Sequence, residues 1–251
     1  MPEFENIKSN YLMEQKRDIQ LNGSTSAGIL PMQCYRQATG SFSSEAYNMC
    51  CIEGMKHYPD KYFDLAVVDP PYGIDDKLQF HDTGTAKNRM YGKKRWDLFK
   101  VDERYLTELF RVSKNIIFWG GNYYANLLPA SRGWIFWQKF SHNNLKYSHG
   151  ELAWTSFDRK LEMTKIFVDG ISGKSQVIHP TQKPIQLYDF CFQFAKVEPG
   201  MKVLDTHLGS GSSRIAAYKN KLHFVGFEID RDYYEKQGKR FTDFAAQLVL
   251  F

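Results

Sequence analysis

Asp69-Pro70-Pro71-Tyr72 closes the apolar run Leu65-Ala66-Val67-Val68. The tetrapeptide joins a carboxylate, two residues without a backbone N–H, and an aromatic ring. An extruded nucleobase needs acceptors for its exocyclic amine and a flat surface against its ring. Asp69 and the Pro70 carbonyl could accept the amine N–H groups, Pro71 could line the base, and Tyr72 could cover it. Read without its surroundings, the same tetrapeptide is a rigid strand-to-loop turn, because Pro-Pro ends strand pairing.

A second constellation follows: Val203-Leu204-Asp205-Thr206-His207-Leu208-Gly209-Ser210-Gly211 reads as a strand, a glycine-bearing turn and a helix start. Glycines there let the backbone approach a ligand, and the helix N-terminus offers free N–H groups. Glu228 ends the next strand, 17 residues after Gly211, about where a carboxylate would reach a ribose diol. A dinucleotide fingerprint needs a third glycine, and position 214 is Arg. A single nucleoside without pyrophosphate therefore fits better, and S-adenosyl-L-methionine has that form. Asp205 either meets the ammonium of such a ligand or organises the turn. The bland alternative is a tight βα turn with an incidental surface Glu.

The segment Lys87-Asn88-Arg89-Met90-Tyr91-Gly92-Lys93-Lys94-Arg95-Trp96 has five basic residues, no acid and two aromatics. Lys87, Arg89, Tyr91, Lys93, Lys94 and Arg95 could clamp phosphates or fill the gap left by a flipped base. Such a run is equally a solvated face.

The elements needed to position these groups are legible. Strands are expected at Phe63–Val68, Asn115–Trp119, Trp134–Gln138, Leu152–Thr155, Met201–Asp205 and Phe224–Glu228. Helices are expected over Asp102–Val112 with Asp102 as cap, Tyr123–Leu128, Ile185–Lys196, from Gly211 to about Lys219, and from Arg231 to about Leu248. Structure is expected to start near Ala46. Alternating strands and helices predict an α/β fold, a mostly parallel sheet with helices on both faces. Residues 1–45 read as an arm of unknown role and 46–251 as one domain. Within it, 73–97 is a DNA-facing loop and 139–178 a candidate target-recognition segment.

With 251 residues, 43% of them hydrophobic, the chain can bury one full core. The net charge of +5 points weakly to an anionic partner. Cys34, Cys50, Cys51 and Cys191 form no CxxC pair and no zinc-ligand spacing, so reduced thiols and no metal are expected. The N-terminal residues have no apolar h-region, and no run of ~20 apolar residues occurs, so neither a signal peptide nor a membrane span is expected.

Taken together, the motifs resemble the amino-group DNA methyltransferases in their permuted β-type order, catalytic half first. The resemblance is carried by Asn48-Met49-Cys50-Cys51-Ile52-Glu53-Gly54-Met55, Asp69-Pro70-Pro71-Tyr72-Gly73, Ile116-Ile117-Phe118-Trp119-Gly120-Gly121-Asn122, Gly133-Trp134-Ile135-Phe136-Trp137, His179-Pro180-Thr181-Gln182-Lys183-Pro184 and Gly226-Phe227-Glu228. It implies a Rossmann-like S-adenosylmethionine-dependent fold and DNA as partner, and Asp before Pro-Pro points to the adenine-N6 branch. It also implies the cytoplasm of a prokaryotic or phage-infected cell. Thr181 would hold the cofactor's carboxylate tail, and Trp119 and Asn122 would form pocket wall. A strand end and turn is the alternative for those last two. The chain departs from the family at Thr206 and His207, where Pro and Phe are common, and at Cys50, where an acid is usual. Cytosine-N4 methylation and a catalytically silent DNA-binding subunit stay open, as do a homodimer or helper subunit.

Overall fold

The computed structural model describes residues 34–39, 41–74, 100–140, 148–168 and 177–248. Among these residues nine strands form one sheet: β1 (Cys34–Thr39), β2 (Phe42–Asn48), β3 (Phe63–Val68), β4 (Ser113–Trp119), β5 (Trp134–Gln138), β6 (Gly150–Thr155), β7 (Glu162–Lys165), β8 (Lys202–Asp205) and β9 (His223–Glu228). Their spatial order is β1-β2-β9-β8-β3-β4-β6-β5-β7. The run β2-β9-β8-β3-β4 is parallel throughout, with Val68 opposite Phe118, Ala66 opposite Leu204, Asp205 opposite Gly226 and Asn48 opposite Glu228. Antiparallel pairing enters at β1 and at β6.

Both faces of the central strands are buried, which is why they read as continuous apolar runs rather than alternating ones. Leu65 and Val67 of β3, Ile117 and Trp119 of β4 and Val203 of β8 join one core cluster with Leu187, Phe192 and Ala216. The intervening Ala66, Val68, Ile116 and Phe118 point the other way along each strand and are buried too.

Among the described residues five α-helices cover the sheet: α1 (Cys51–Met55), α2 (Glu103–Val112), α3 (Ile185–Ala195), α4 (Ser212–Lys219) and α5 (Arg231–Leu248). Helix α2 starts where Asp102 accepts the backbone N–H groups of Arg104 and Tyr105, and it buries Tyr105, Leu106, Leu109 and Val112 on one stripe. Helix α3 packs on α4, and α1 on α2.

Three details differ from the sequence-based expectations. Paired strands begin at Cys34, before Ala46, because β1 and β2 form an antiparallel pair at the sheet edge. The helix expected over Tyr123–Leu128 is a single 3-10 turn at Gly121–Tyr124, opened by Gly120 in the left-handed region (φ +71°). Strand β7 was not anticipated: it sits on the other edge, mostly exposed, and has no apolar face to reveal it. No helix among the described residues is long and apolar enough to cross a membrane.

Candidate functional site

Five parallel strands bring their C-terminal ends to one edge of the sheet, the place where open α/β sheets leave a crevice for ligands. Asn48, Asp69, Trp119, Asp205 and Glu228 stand at or just after those ends. Antiparallel β6 begins at the same edge and adds Glu151 there.

At the end of β3, Pro70 is buried and Asp69 half-buried. The Tyr72 hydroxyl donates to Asp69 Oδ1 at 2.5 Å, and the ammonium of Lys183 reaches Oδ2. The Pro71 carbonyl accepts from the Tyr124 hydroxyl, which fixes the turn from below. The Tyr72 ring stacks on Tyr123, centroids 4.8 Å apart and planes 16° off parallel. Gly120 makes that position available: a Cβ there would lie 2.1 Å from the Tyr72 ring, and its positive φ already disfavours other residues. Trp119 is fully buried, with Lys183 Nζ 5.7 Å from its ring. Asn122 is exposed on the 3-10 turn.

Lys183 and Glu151 are the residues that sequence reasoning passed over. Lys183 Nζ lies 3.0 Å from Glu151 Oε2, and Lys139 Nζ lies 2.8 Å from Glu151 Oε1. Burial opposes charge on both Lys183 and Glu151. The Asp69 and Glu151 carboxylates nevertheless hold the Lys183 ammonium above its usual range. Lys183 and Lys139 likewise hold Glu151 well below the ordinary carboxylate range. The signal for Lys183 was its place within His179-Pro180-Thr181-Gln182-Lys183-Pro184. Glu151 gave none beyond being an acid at the head of a buried strand.

The glycine turn after β8 is built differently. Asp205 is buried, accepts the His207 N–H at 3.0 Å, and takes the Ser213 hydroxyl at 2.5 Å, so it organises the turn. Burial lifts its carboxyl to about 6 in spite of these donors. Glu228 accepts the N–H of Gly209 at 2.8 Å and of Asp230 at 2.9 Å, and burial lifts it to about 7. Gly209 (φ +50°) and Gly211 (φ +73°) are left-handed, and Gly211 caps α4. Leu208 and Ser210 are buried; Ser210 Oγ lies 3.1 Å from Ser212 Oγ.

His207 Nδ1 is 2.9 Å from Thr206 Oγ1, which in turn lies 2.6 Å from the Tyr105 hydroxyl. Burial pushes the His207 imidazole down to about 4, so it is neutral at pH 7. The Thr206-His207 pair thus anchors the turn to α2, a packing role. Thr181 is exposed, its hydroxyl 3.2 Å from His179 Nδ1, and the His179 ring approaches both Tyr233 and Gly209. Lys87, Arg89, Tyr91, Lys93, Lys94 and Arg95 lie outside the described residues. Gly73 and Lys100, on either side of that stretch, lie close together, and Lys100 Nζ donates to the Tyr123 carbonyl at 2.7 Å. Among the described residues no His, Cys, Asp and Glu cluster could hold a metal ion.

Two carboxylates at the glycine turn would repel a phosphate and attract a cation. The site therefore fits a phosphate-free nucleoside with positive charge. At the other end of the crevice, a carboxylate beside an aromatic ring suits a planar amine.

Residues 133–239 match the model of a DNA methylase family of the N6/N4 type. The Type II methyltransferase M2.MboI of Moraxella bovis is 21% identical over 249 residues, covering 78% of this chain and 87% of that protein. Among solved structures, PvuII DNA methyltransferase (cytosine-N4-specific) superposes with a TM-score of 0.55 at 13% identity, over 82% of this chain and 93% of that one. The M1.HpyAVI–SAM complex superposes with a TM-score of 0.51 at 20% identity, over 78% and 98%. Over residues 133–239 and in its overall fold, the chain is thus similar to the amino-group DNA methyltransferases.

Proposed function

We propose that this protein methylates DNA at the exocyclic N6 of adenine, with S-adenosylmethionine as methyl donor. The observation that carries the reading is that the Asp69-Pro70-Pro71-Tyr72 turn, the glycine turn after β8 and Glu228 at the end of β9 stand together at one sheet edge. When bound, the cofactor supplies an activated methyl on a positively charged sulfur. Glu228 would hold its ribose diol, Gly209 would let the backbone come close, and His179 and Thr181 would flank its amino-acid tail.

An aromatic amine is a weak nucleophile because its lone pair is delocalised into the ring. Asp69 and the Pro70 carbonyl would accept its two N–H groups, favouring a pyramidal nitrogen and stabilising the positive charge that grows there. Contacts that strengthen as charge develops are those that raise the rate. Tyr72, held against Tyr123, would cover the extruded base, a contact worth ~1–3 kcal/mol. The order of the two turns in the chain, catalytic turn first, supports the permuted β-type arrangement.

Cytosine N4 is the second reading, since its amine would meet the same acceptors; Asp rather than Ser before Pro-Pro favours adenine by family resemblance. Nucleoside mass spectrometry of unmethylated DNA, incubated with the protein and S-adenosylmethionine, tests both. N6-methyladenine is expected. N4-methylcytosine would redirect the assignment, and unmodified DNA across a range of sequences would remove it.

A further inference from the structure

Behind the acceptor carboxylate lies an ionic group that the function proposed above does not use. The Lys183 side chain is 4% exposed, and its ammonium meets two carboxylates, Asp69 on β3 and Glu151 on β6. It also lies 3.5 Å from the Tyr72 hydroxyl and within 6 Å of the Tyr72 and Trp119 rings. Lys139 closes the group by taking the other Glu151 oxygen. Buried ion pairs of this kind are a poor source of stability, because desolvation offsets the attraction.

We propose that Lys183 is the positioning residue of the acceptor carboxylate, and that Glu151, itself anchored by Lys139, keeps Lys183 in place. The inference rests on the methyl-transfer reading of the Asp69 site. The terminal torsion of an aspartate is broad and nearly two-fold, so the backbone alone does not decide which oxygen faces the substrate. Lys183 decides it: it engages Oδ2 and leaves Oδ1 to face the crevice. In the free protein the Tyr72 hydroxyl donates to Oδ1. The incoming amine takes that place. Without Lys183, the Asp69 and Glu151 carboxylates would confront each other, and their repulsion would turn the Asp69 oxygens away from the amine.

The test compares Lys183→Met, Lys183→Arg and Glu151→Gln in the full chain, measuring single-turnover methyl transfer, cofactor KM and DNA affinity. Lys183→Met is expected to slow transfer by about 10²-fold, the scale for losing one organised transition-state contact. Cofactor KM and DNA affinity should stay within about threefold of wild type. Lys183→Arg, which restores the cation, should recover at least about tenfold of the loss, and Glu151→Gln should fall between wild type and Lys183→Met. Thermal melting of each variant separates lost folding from lost rate, and Glu151→Gln keeps the test open should Lys183→Met fold poorly. A Lys183→Met rate within about threefold of wild type, while Asp69→Ala is inactive, would overturn this proposal alone. So would a loss expressed only in cofactor KM, or an Arg variant no better than Met. A wild-type chain that transfers no methyl removes the functional reading and this proposal with it.

Discussion

The two ends of the crevice hold carboxylates in opposite electrostatic settings. At the Asp69 end a buried lysine stands between Asp69 and Glu151, and Glu151 is held firmly ionised. At the glycine-turn end, Asp205 and Glu228 are met only by backbone N–H groups and a hydroxyl, and burial lifts them to about 6 and about 7. Burial raises Asp205 and Glu228 against their hydrogen-bond donors, whereas at Glu151 two close lysines outweigh it. The difference matches the two tasks proposed above. One end would hold an acceptor set before the substrate arrives, and the other would be left short of positive charge until a cationic ligand supplies it.

The strongest way to break the comparison is at Glu228. Glu228→Ala removes a charged acceptor and is expected to weaken S-adenosylmethionine binding by about 1.5–3 kcal/mol, roughly ten- to a hundredfold by calorimetry. Binding unaltered by that change would detach the glycine turn from the cofactor. Gly120→Ala probes the acceptor end. A new Cβ in the Tyr72 ring, at a backbone angle alanine resists, should cost about 1–3 kcal/mol in stability or in base binding. Normal melting together with a normal DNA KM would show that Tyr72 needs no such platform.

A pH titration separates the two ends further. Glu228, raised to about 7 by burial and faced by Asp230 and Asp205, is increasingly protonated below pH 7. A diol and a sulfonium both prefer the ionised form, so cofactor affinity should rise as pH goes from 6 to 8 and then level off, by up to about tenfold. Glu151 stays ionised across this window, so the Asp69 end should add no step of its own from that group. A flat affinity profile would show that Glu228 does not titrate against the ligand. The smallest effect is expected far from both ends: Asp102→Ala removes the α2 cap and should cost about 1 kcal/mol of stability by denaturant unfolding, with methyl transfer unchanged. A clear loss of transfer rate would mean that α2 feeds into the site more directly than its packing implies.

What sequence could foretell divides along the same line. The parallel core was legible because β3, β4, β8 and β9 are short apolar runs ended by turn residues, and α2, α3 and α5 carry caps or helical spacing. The edges were not: β1 lies in a polar stretch of sequence and β7 is mostly exposed, so neither offers an apolar run to read. Asp69, Asp205 and Glu228 announced themselves as acids at strand ends. The cation that sets Asp69 did not, because Lys183 is 114 residues away and its second partner Glu151 sits in the antiparallel extension. Local spacing carries information about turns and caps. Ion pairs that close across a sheet edge depend on topology, which spacing does not encode.

The measurement that bears most directly on the central claim is single-turnover methyl transfer by Asp69→Ala, with S-adenosylmethionine affinity determined on the same preparation. Transfer should fall by at least about 10²–10³-fold while cofactor affinity stays within about threefold of wild type. A variant that still methylates DNA at close to the wild-type rate would contradict the assignment of Asp69 as the acceptor on which the site is organised.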